Sequence, residues 1–177
     1  DEMKYEIDVD DQREYNTKFE FTEVTDKAFA HKTWPKGHPV AGEPIVLRDY
    51  QVEIVNKFLE TPHCLQEIAT GAGKTLVTAS LSQRAEKYGR SIVIVPNKDL
   101  VRQTYEDYVN MGLDVGVYFG DKKELGKTHT ICTWQSLNSI KKQFRDGKTD
   151  FGLQDFAEDV VCVIVDEVHQ AKADVLK

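Results

Sequence analysis

The feature that most constrains the fold of this chain is a glycine-rich turn at Ala69–Thr75, which reads Ala-Thr-Gly-Ala-Gly-Lys-Thr. The apolar run Cys64–Ala69 before the turn is predicted to be a strand, and Lys74–Tyr88 after it is predicted to be a helix. Glycines let a backbone wrap closely around an anion, so that several N–H groups and a helix N-terminus face one phosphate. The turn therefore predicts a phosphate-binding loop in an α/β domain.

The side chains of this loop fit the binding of a nucleoside triphosphate and a metal ion. Lys74 would reach the β- and γ-phosphates, and the Thr75 hydroxyl would ligate Mg²⁺. The backbone around the phosphates would come from Thr70, Gly71, Ala72 and Gly73. The pattern is imperfect, because the first glycine of the common phosphate-loop signature falls at Ile68. A glycine turn with a purely structural role is the alternative, and the predicted strand and helix around it favour phosphate binding.

A second candidate is a pair of carboxylates that follows an apolar run. Val161–Val165 reads Val-Cys-Val-Ile-Val, and Asp166 and Glu167 come directly after it. In open parallel sheets, ligands bind at the carboxyl ends of the strands. Asp166 would hold Mg²⁺ through water, and Glu167 would orient or deprotonate an attacking water. The alternative is that the two acids only cap the next helix, and the phosphate loop in the same chain argues against it.

The apolar pattern between these motifs predicts alternating helices and strands. Such alternation is typical of crossover connections between parallel strands, and it predicts an α/β fold with a mostly parallel sheet flanked by helices. The predicted helices are Tyr50–Leu59, Lys98–Asn110 and Ser136–Arg145, and the predicted strands are Ser91–Val95, Val115–Phe119, Thr130–Thr133 and Val160–Val165.

The first part of the chain has a different pattern. Alternating apolar residues in Tyr5–Val9 and Thr17–Thr22 predict short half-buried strands, and a solvated acidic lead-in is an equal alternative. Three of the five prolines lie in residues 34–44, which indicates a connector. We therefore expect an accessory segment or linker at residues 1–43 and one domain at residues 44–177.

The net charge of −7 weakly opposes nucleic-acid binding, because polyanions usually bind basic surfaces. However, residues 1–43 hold 11 acidic and 6 basic residues, a net charge of −5, and residues 44–177 hold 19 and 17, a net charge of −2. The overall charge thus belongs mainly to the first segment. The densest basic cluster outside the helices is Lys122, Lys123 and Lys127, which is more typical of a solvated loop than of a backbone contact.

Several classes of protein and site are disfavoured by the composition. The three cysteines Cys64, Cys132 and Cys162 are far apart, which argues against a disulfide framework or a cysteine zinc site and favours the cytoplasm. No run approaches the roughly 20 apolar residues that cross a bilayer, so we expect no membrane partner. The start of the chain is charged and does not resemble a secretory signal.

Taken in order, the motifs resemble those of the superfamily 2 helicases and translocases. Asp166–His169 reads Asp-Glu-Val-His, a DExH motif, and together with Ala69–Thr75 it resembles motifs II and I. Arg48–Gln51, about 20 residues before the loop, resembles the Q motif. Val95-Pro96 with Leu100 and Gln103 resembles motif Ia, and Thr133–Leu137 resembles the next motif that contacts nucleic acid.

The resemblance implies a RecA-like first motor domain that uses ATP and Mg²⁺. Gln51 would read adenine beside Arg48, and His169 would couple the ATP site to motif III. The nucleic-acid backbone would contact Pro96, Asn97, Gln103, Thr133, Trp134, Gln135 and Ser136. For Thr133–Ser136 the alternative is a plain strand-to-helix turn with Ser136 as its N-cap, and Trp134 fits a core position equally well.

Within the superfamily the motifs are similar to phage recombination-repair DNA helicases of the UvsW type. This implies a monomeric ATP-dependent DNA helicase or translocase, with branched DNA as a candidate substrate. Motif III and the second motor lobe are not in this chain, so we expect a fragment that turns over slowly. The alternatives are an RNA-directed motor of the same superfamily and a nucleotide-switched nucleic-acid-binding module without motor activity. A small-molecule kinase would not explain the ordered motifs.

Overall fold

A computed structural model describes residues 19–61 and 63–168 and places five strands in one sheet within them. The order across the sheet is β3-β2-β4-β1-β5, and only the β2–β3 pair is antiparallel. The predicted mostly parallel sheet is thus confirmed. The strands are β1 (Arg90–Val95), β2 (Val115–Phe119), β3 (Lys122–Lys123), β4 (His129–Thr133) and β5 (Val160–Val165).

Helices cover both faces of the sheet, as the α/β prediction requires. They are α1 (Asp49–Glu60), α2 (Lys74–Ala85), α3 (Lys98–Asn110), α4 (Trp134–Arg145) and α5 (Leu153–Phe156). Alternate side chains of β1 enter two separate cores, because successive side chains of a strand point to opposite faces. Val93 and Val95 share a core with α1, α2 and α3, whereas Ile92 and Ile94 share one with α4 and α5.

Residues that precede α1 belong to the larger of these cores. Val24, Phe29, Ile45 and Leu47 are each no more than 2% exposed, and they pack in the same cluster as Val93. Backbone hydrogen bonds from Ile45 to Lys32 and from Leu47 to Asp26 bind the two ends of this segment together. A domain boundary near residue 43 stays a prediction, but buried side chains from both sides of it form one core.

Neither of the two predicted N-terminal strands is found in the described residues. Tyr5–Val9 lies outside the described residues, as do the first two residues of Thr17–Thr22. Residues 19–22 form no strand, so that part of the prediction is wrong. Phe19 and Phe21 instead stack on each other, and both meet the ring of Tyr88 edge-on at 5.0 and 5.6 Å. Aromatic packing against Tyr88, which follows α2, has replaced strand pairing.

The strand predicted at Cys64–Ala69 is also wrong, because residues 63–69 contain no strand. A strand buried on both faces needs an apolar side chain at nearly every position, and Gln66 and Glu67 interrupt this run. The side chain of Leu65 is 81% exposed. As a result β5 is the edge strand of the described sheet, and Val163 in its middle is 57% exposed.

A chain of polar groups, buried except for Glu86 at its outer end, crosses the interior on the α2 and α3 side. The Glu86 carboxylate lies 2.8 Å from His129 Nε2, and His129 Nδ1 lies 2.7 Å from the Ser91 hydroxyl. The Ser91 hydroxyl lies 3.1 Å from that of Ser82, which lies 3.0 Å from the Tyr108 hydroxyl. These hydrogen bonds satisfy the polar groups that β1 and β4 bury at their amino ends.

In the part of the chain that the structure describes, no helix has the length and apolar character needed to cross a membrane.

Candidate functional site

The glycine-rich turn leads directly into α2. Gly71 and Gly73 have φ angles of +79° and +76°, in the left-handed region that favours glycine. Gly73 is the N-cap residue of α2, and no side chain caps the helix there. The first N–H groups of α2 therefore point out of the helix at the turn, where the positive end of the helix dipole favours an anion.

Lys74 and the two predicted carboxylates come together at this turn, although 92 positions separate Lys74 from Asp166 in the sequence. The Lys74 ammonium donates to the Glu167 carboxylate and lies 3.7 Å from Asp166 Oδ1. All three side chains are about a quarter exposed. The hydrogen bond to Glu167 raises the pKa of Lys74, burial opposes this effect, and the Asp166 charge adds to it.

The end of β5 positions the carboxylates. The Asp166 N–H donates to the Ile94 carbonyl at 2.9 Å and so continues the ladder between β1 and β5. The Glu167 N–H donates to the Asp166 carboxylate at 3.0 Å, and Glu167 has a φ of +52°. The chain therefore turns sharply after the strand, and this turn directs the Glu167 carboxylate to Lys74. The catalytic and metal-binding roles of these residues stay predictions.

The segment that resembles the Q motif contacts the turn directly. Gln51 is only 2% exposed, and its Nε2 donates to the Ala72 carbonyl at 2.8 Å. Its Oε1 accepts from the Arg48 N–H at 2.9 Å. Both ends of this amide therefore have partners within the protein. That Gln51 and Arg48 bind the nucleotide stays a prediction.

The residues expected to contact nucleic acid follow β1 and β4. Asn97 is the N-cap of α3, and its side chain accepts from the N–H groups of Asp99 and Leu100. Pro96 is half-buried beside it, and Gln103 is exposed on α3. The residues that follow β1 and those that follow β4 lie at the carboxyl edge of the sheet, because the two strands are parallel. Lys74, Asp166 and Glu167 lie at the same edge.

The turn after β4 differs in detail from the prediction. Thr133, not Ser136, is the N-cap of α4, so the helix begins at Trp134, two residues earlier than predicted. The Thr133 side chain accepts from the Ser136 N–H, and both residues are buried. Trp134 packs against the core on the α4 side, and Gln135 is exposed. These contacts support the capping turn, and the nucleic-acid role stays a prediction.

His169 lies outside the described residues. Lys122, Lys123 and Lys127 do not form one cluster in the structure, because they lie at opposite ends of β2. Lys122 and Lys123 form β3 beside the end of β2. Lys127 pairs with Asp114, which precedes β2, at 2.7 Å.

Sequence reasoning missed two residues at the site. The Tyr50 hydroxyl donates to the Ala72 carbonyl at 2.8 Å, and its position beside Gln51 was the only available signal. Burial raises the pKa of the Asp107 carboxyl of α3, and the nearby Thr75 hydroxyl opposes this effect. Asp107 gave no signal, because nothing in the helical pattern of α3 separates it from a surface acid.

Comparison with known proteins identifies the family of this chain. A sequence profile of the ResIII family, described as the type III restriction enzyme, res subunit, matches residues 44–177. The chain belongs to the ResIII family. A ResIII domain in this chain confirms the resemblance to the superfamily 2 helicases, and the fold is that of a RecA-like domain.

Curated relatives support the same assignment. The DNA 3′-5′ helicase XPB of Kineococcus radiotolerans is 27% identical over 135 residues, which cover 74% of this chain and 23% of that protein. The DNA 3′-5′ translocase XPB2 of Sulfurisphaera tokodaii is 32% identical over 100 residues, which cover 55% of this chain and 22% of that protein. This ResIII chain thus spans about a quarter of the length of these relatives.

Solved structures share the fold. The UvsW helicase from bacteriophage T4 matches 89% of this chain and 55% of its own with a TM-score of 0.66 and 18% identity. A second T4 UvsW crystal structure matches 86% of this chain and 36% of its own with a TM-score of 0.56 and 17% identity. At such identities the likeness shows the fold of the ResIII domain.

Proposed function

We propose that this chain is the ATP-binding domain of a DNA helicase or translocase that couples ATP hydrolysis to movement on DNA. The observation that carries the proposal is the contact of Lys74 with Asp166 and Glu167 beside an uncapped helix N-terminus. A phosphate-binding lysine and a pair of carboxylates on adjacent elements are the groups that position a γ-phosphate and the water that attacks it.

Magnesium would fit the same place. Its preferred ligands are oxygen atoms, and it is usually held by one or two carboxylates together with phosphate oxygens. Asp166 and the Thr75 hydroxyl are the groups that would hold it, and the ion would offset the charge that develops on the phosphates.

Nucleotide binding would release the Asp166 and Glu167 carboxylates from their contact with Lys74. Without a triphosphate its ammonium neutralises Glu167, which therefore cannot act fully as a base. A γ-phosphate would offer Lys74 a stronger partner and free the Glu167 carboxylate to orient water. The contact thus delays formation of the catalytic arrangement until a nucleotide binds.

Nucleic acid would bind at the same edge of the sheet, through the turns that follow β1 and β4. Gln103 and Gln135 are exposed there and can donate to backbone phosphates. The names of the curated relatives specify DNA, which favours DNA over RNA for this chain. We further propose a DExH motor of the recombination-repair type, with branched DNA among its substrates.

The nucleotide site can be tested by calorimetric titration of the 177-residue chain with ATP and Mg²⁺. Lys74→Ala should weaken binding by about 10- to 100-fold, because it removes a charge-assisted contact with phosphate. Lys87→Ala is the matched control, since Lys87 contacts the Glu20 carbonyl beyond the end of α2. Equal affinity of the Lys74 variant and the wild type would contradict the proposal.

Substrate class and turnover need a separate experiment. Binding and ATP hydrolysis are compared with single-stranded RNA, linear duplex DNA and forked DNA at one salt concentration. We expect DNA to bind more tightly than RNA, and slow turnover, because superfamily 2 motors receive an arginine finger from a second lobe. A preference for RNA would favour the RNA-directed motor, and rapid DNA-stimulated hydrolysis by this chain alone would contradict the need for a second lobe.

A further inference from the structure

One carbonyl of the phosphate loop accepts two hydrogen bonds from the first turn of α1. The Tyr50 hydroxyl and the Gln51 Nε2 each lie 2.8 Å from the Ala72 oxygen. The Gln51 Nε2 also lies 3.4 Å from the Gly73 oxygen. A carbonyl oxygen has two lone pairs, so the Ala72 oxygen is saturated by these two donors.

Arg48 determines how the Tyr50 hydroxyl is used. Its Nη1 lies 3.1 Å from the Tyr50 oxygen, and a guanidinium can only donate. The Tyr50 oxygen therefore accepts from Arg48, and its single proton is directed to the Ala72 carbonyl. Charge on the guanidinium also polarises this hydroxyl and strengthens the bond that it donates.

These two bonds fix the orientation of the peptide group between Ala72 and Gly73. In a planar trans peptide the C=O and the N–H point in opposite directions. Because the Ala72 carbonyl points to α1, the Gly73 N–H points away from α1. That N–H donates to none of the described residues, and it lies next to Lys74 at the start of α2.

We propose that Tyr50 is a positioning residue for the triphosphate, and that it acts through this peptide group. Its hydroxyl holds the Ala72 carbonyl on the α1 side, so the Gly73 N–H is already aimed at the phosphates before they bind. The inference rests on the proposed function, in which the loop binds a triphosphate. It differs from adenine recognition, because a contact through the loop backbone affects every triphosphate equally.

The test compares Tyr50→Phe with the wild-type chain in calorimetric titrations with three probes, each with Mg²⁺. The probes are ATP, GTP and inorganic tripolyphosphate. We expect the dissociation constant of all three to rise by about fivefold, which corresponds to one neutral hydrogen bond. Tyr105→Phe is the matched control, because the Tyr105 hydroxyl forms no hydrogen bond with a described residue, and it should leave all three constants unchanged.

A nucleotide-free readout separates positioning from a general loss of structure. In Tyr50→Phe the backbone amide resonance of Gly73 should shift in an NMR spectrum, while the melting temperature stays close to that of Tyr105→Phe. Unchanged affinities for all probes would overturn the inference, and so would a loss limited to ATP, which would show an adenine contact. Failure of the wild-type chain to bind any probe would instead contradict the proposed function.

Discussion

At the scale of single residues, two glycines of the glycine-rich turn before α2 share one backbone conformation but have different surroundings. Gly71 and Gly73 both have φ near +80°. A Cβ at Gly71 would meet nothing within 4 Å, whereas one at Gly73 would lie 2.5 Å from the Gln51 Nε2. Gly73 is therefore required by the close approach of α1 as well as by its own φ angle.

Alanine at each glycine should separate these two effects. Gly71→Ala should cost about 1–2 kcal/mol of unfolding free energy, from left-handed strain alone. Gly73→Ala should cost more, because it adds displacement of a buried amide from the Ala72 carbonyl. Urea denaturation of both variants measures the difference, and equal costs would mean that Gln51 moves aside freely.

Two aspartates should give the stability of the protein opposite dependences on pH. Burial raises the pKa of Asp107, so its ionisation costs stability as pH rises through its unfolded value of 3.8 to the higher folded value. Asp107→Asn should therefore raise the melting temperature at pH 7 and leave it unchanged below pH 3.8. Asparagine has nearly the same shape as aspartate and removes only the ionisation, so the packing around residue 107 is retained.

Asp114 provides the control with the opposite sign. Its hydrogen bonds with Lys127 and the Thr128 N–H lower the pKa of its carboxyl. It therefore stabilises the fold above pH 3.8, and the effect is lost as pH falls through the lower folded value. Asp114→Asn should lower the melting temperature at pH 7, though only slightly, because the ion pair is exposed. The same sign for both variants would contradict the assignment.

At the scale of elements, the buried polar chain joins α2, α3, β1 and β4 through contacts that no single element could make. Ser91 lies at its centre, within hydrogen-bonding distance of both His129 and Ser82, and it is fully buried. Loss of its hydroxyl would leave the buried Nδ1 of His129 without its Ser91 partner, and the Ser82 hydroxyl would keep only the contact with Tyr108. Such groups cost more than the net value of the bond that is lost.

We therefore expect Ser91→Ala to destabilise the fold by about 1–3 kcal/mol. The control is Ser139→Ala on α4, where an exposed hydroxyl accepts from Gln143, and its cost should stay below about 0.5 kcal/mol. Chemical denaturation of both variants gives the comparison. A Ser91 variant as stable as the Ser139 variant would show that water replaces the hydroxyl inside the core.

The sequence predicted correctly those helices and strands whose apolar pattern matches the burial of their residues in the fold. The β2 and α3 bounds were predicted without error, because an apolar five-residue run and a clear helical period leave little choice. Cys64–Ala69 failed, since its middle is polar and pairing depends on residues far away in the sequence. The start of α4 was misplaced, because both Thr133 and Ser136 are suitable N-caps and only the backbone conformation distinguishes them.

The sequence predicted which residues form the candidate site, but not the hydrogen bonds between them. Residue type and spacing were enough to propose Lys74, Asp166 and Glu167 as one group, which the fold brings together. The hydrogen bonds of Tyr50 and Gln51 with the loop could not be predicted, because they depend on how α1 packs against α2. Charged residues and motifs can be recognised in the sequence, whereas hydrogen bonds between helices can be identified only from the three-dimensional structure.

At the scale of the whole molecule, residues before α1 complete the core that packs on one face of the sheet. Phe29 is fully buried in the same cluster as β1 and α3, so Phe29→Ala should cost about 3–5 kcal/mol of unfolding free energy. Phe19→Ala is the control, because Phe19 is 37% exposed. A small cost for the Phe29 variant in thermal denaturation would mean that the described residues before α1 contribute little to the stability of the core.

The strand order also decides when the sheet can form. Ser91 in β1 pairs with His129 in β4 and with Cys162 in β5, so both neighbours of β1 come much later in the chain. Parallel pairings between distant segments close long loops and form slowly. On the ribosome, the β5 partner of β1 is synthesised about 70 residues after β1, which takes on the order of 4–14 s at ordinary synthesis rates. During that interval the Ile and Val side chains of β1 are exposed to other chains and to chaperones that bind short apolar segments.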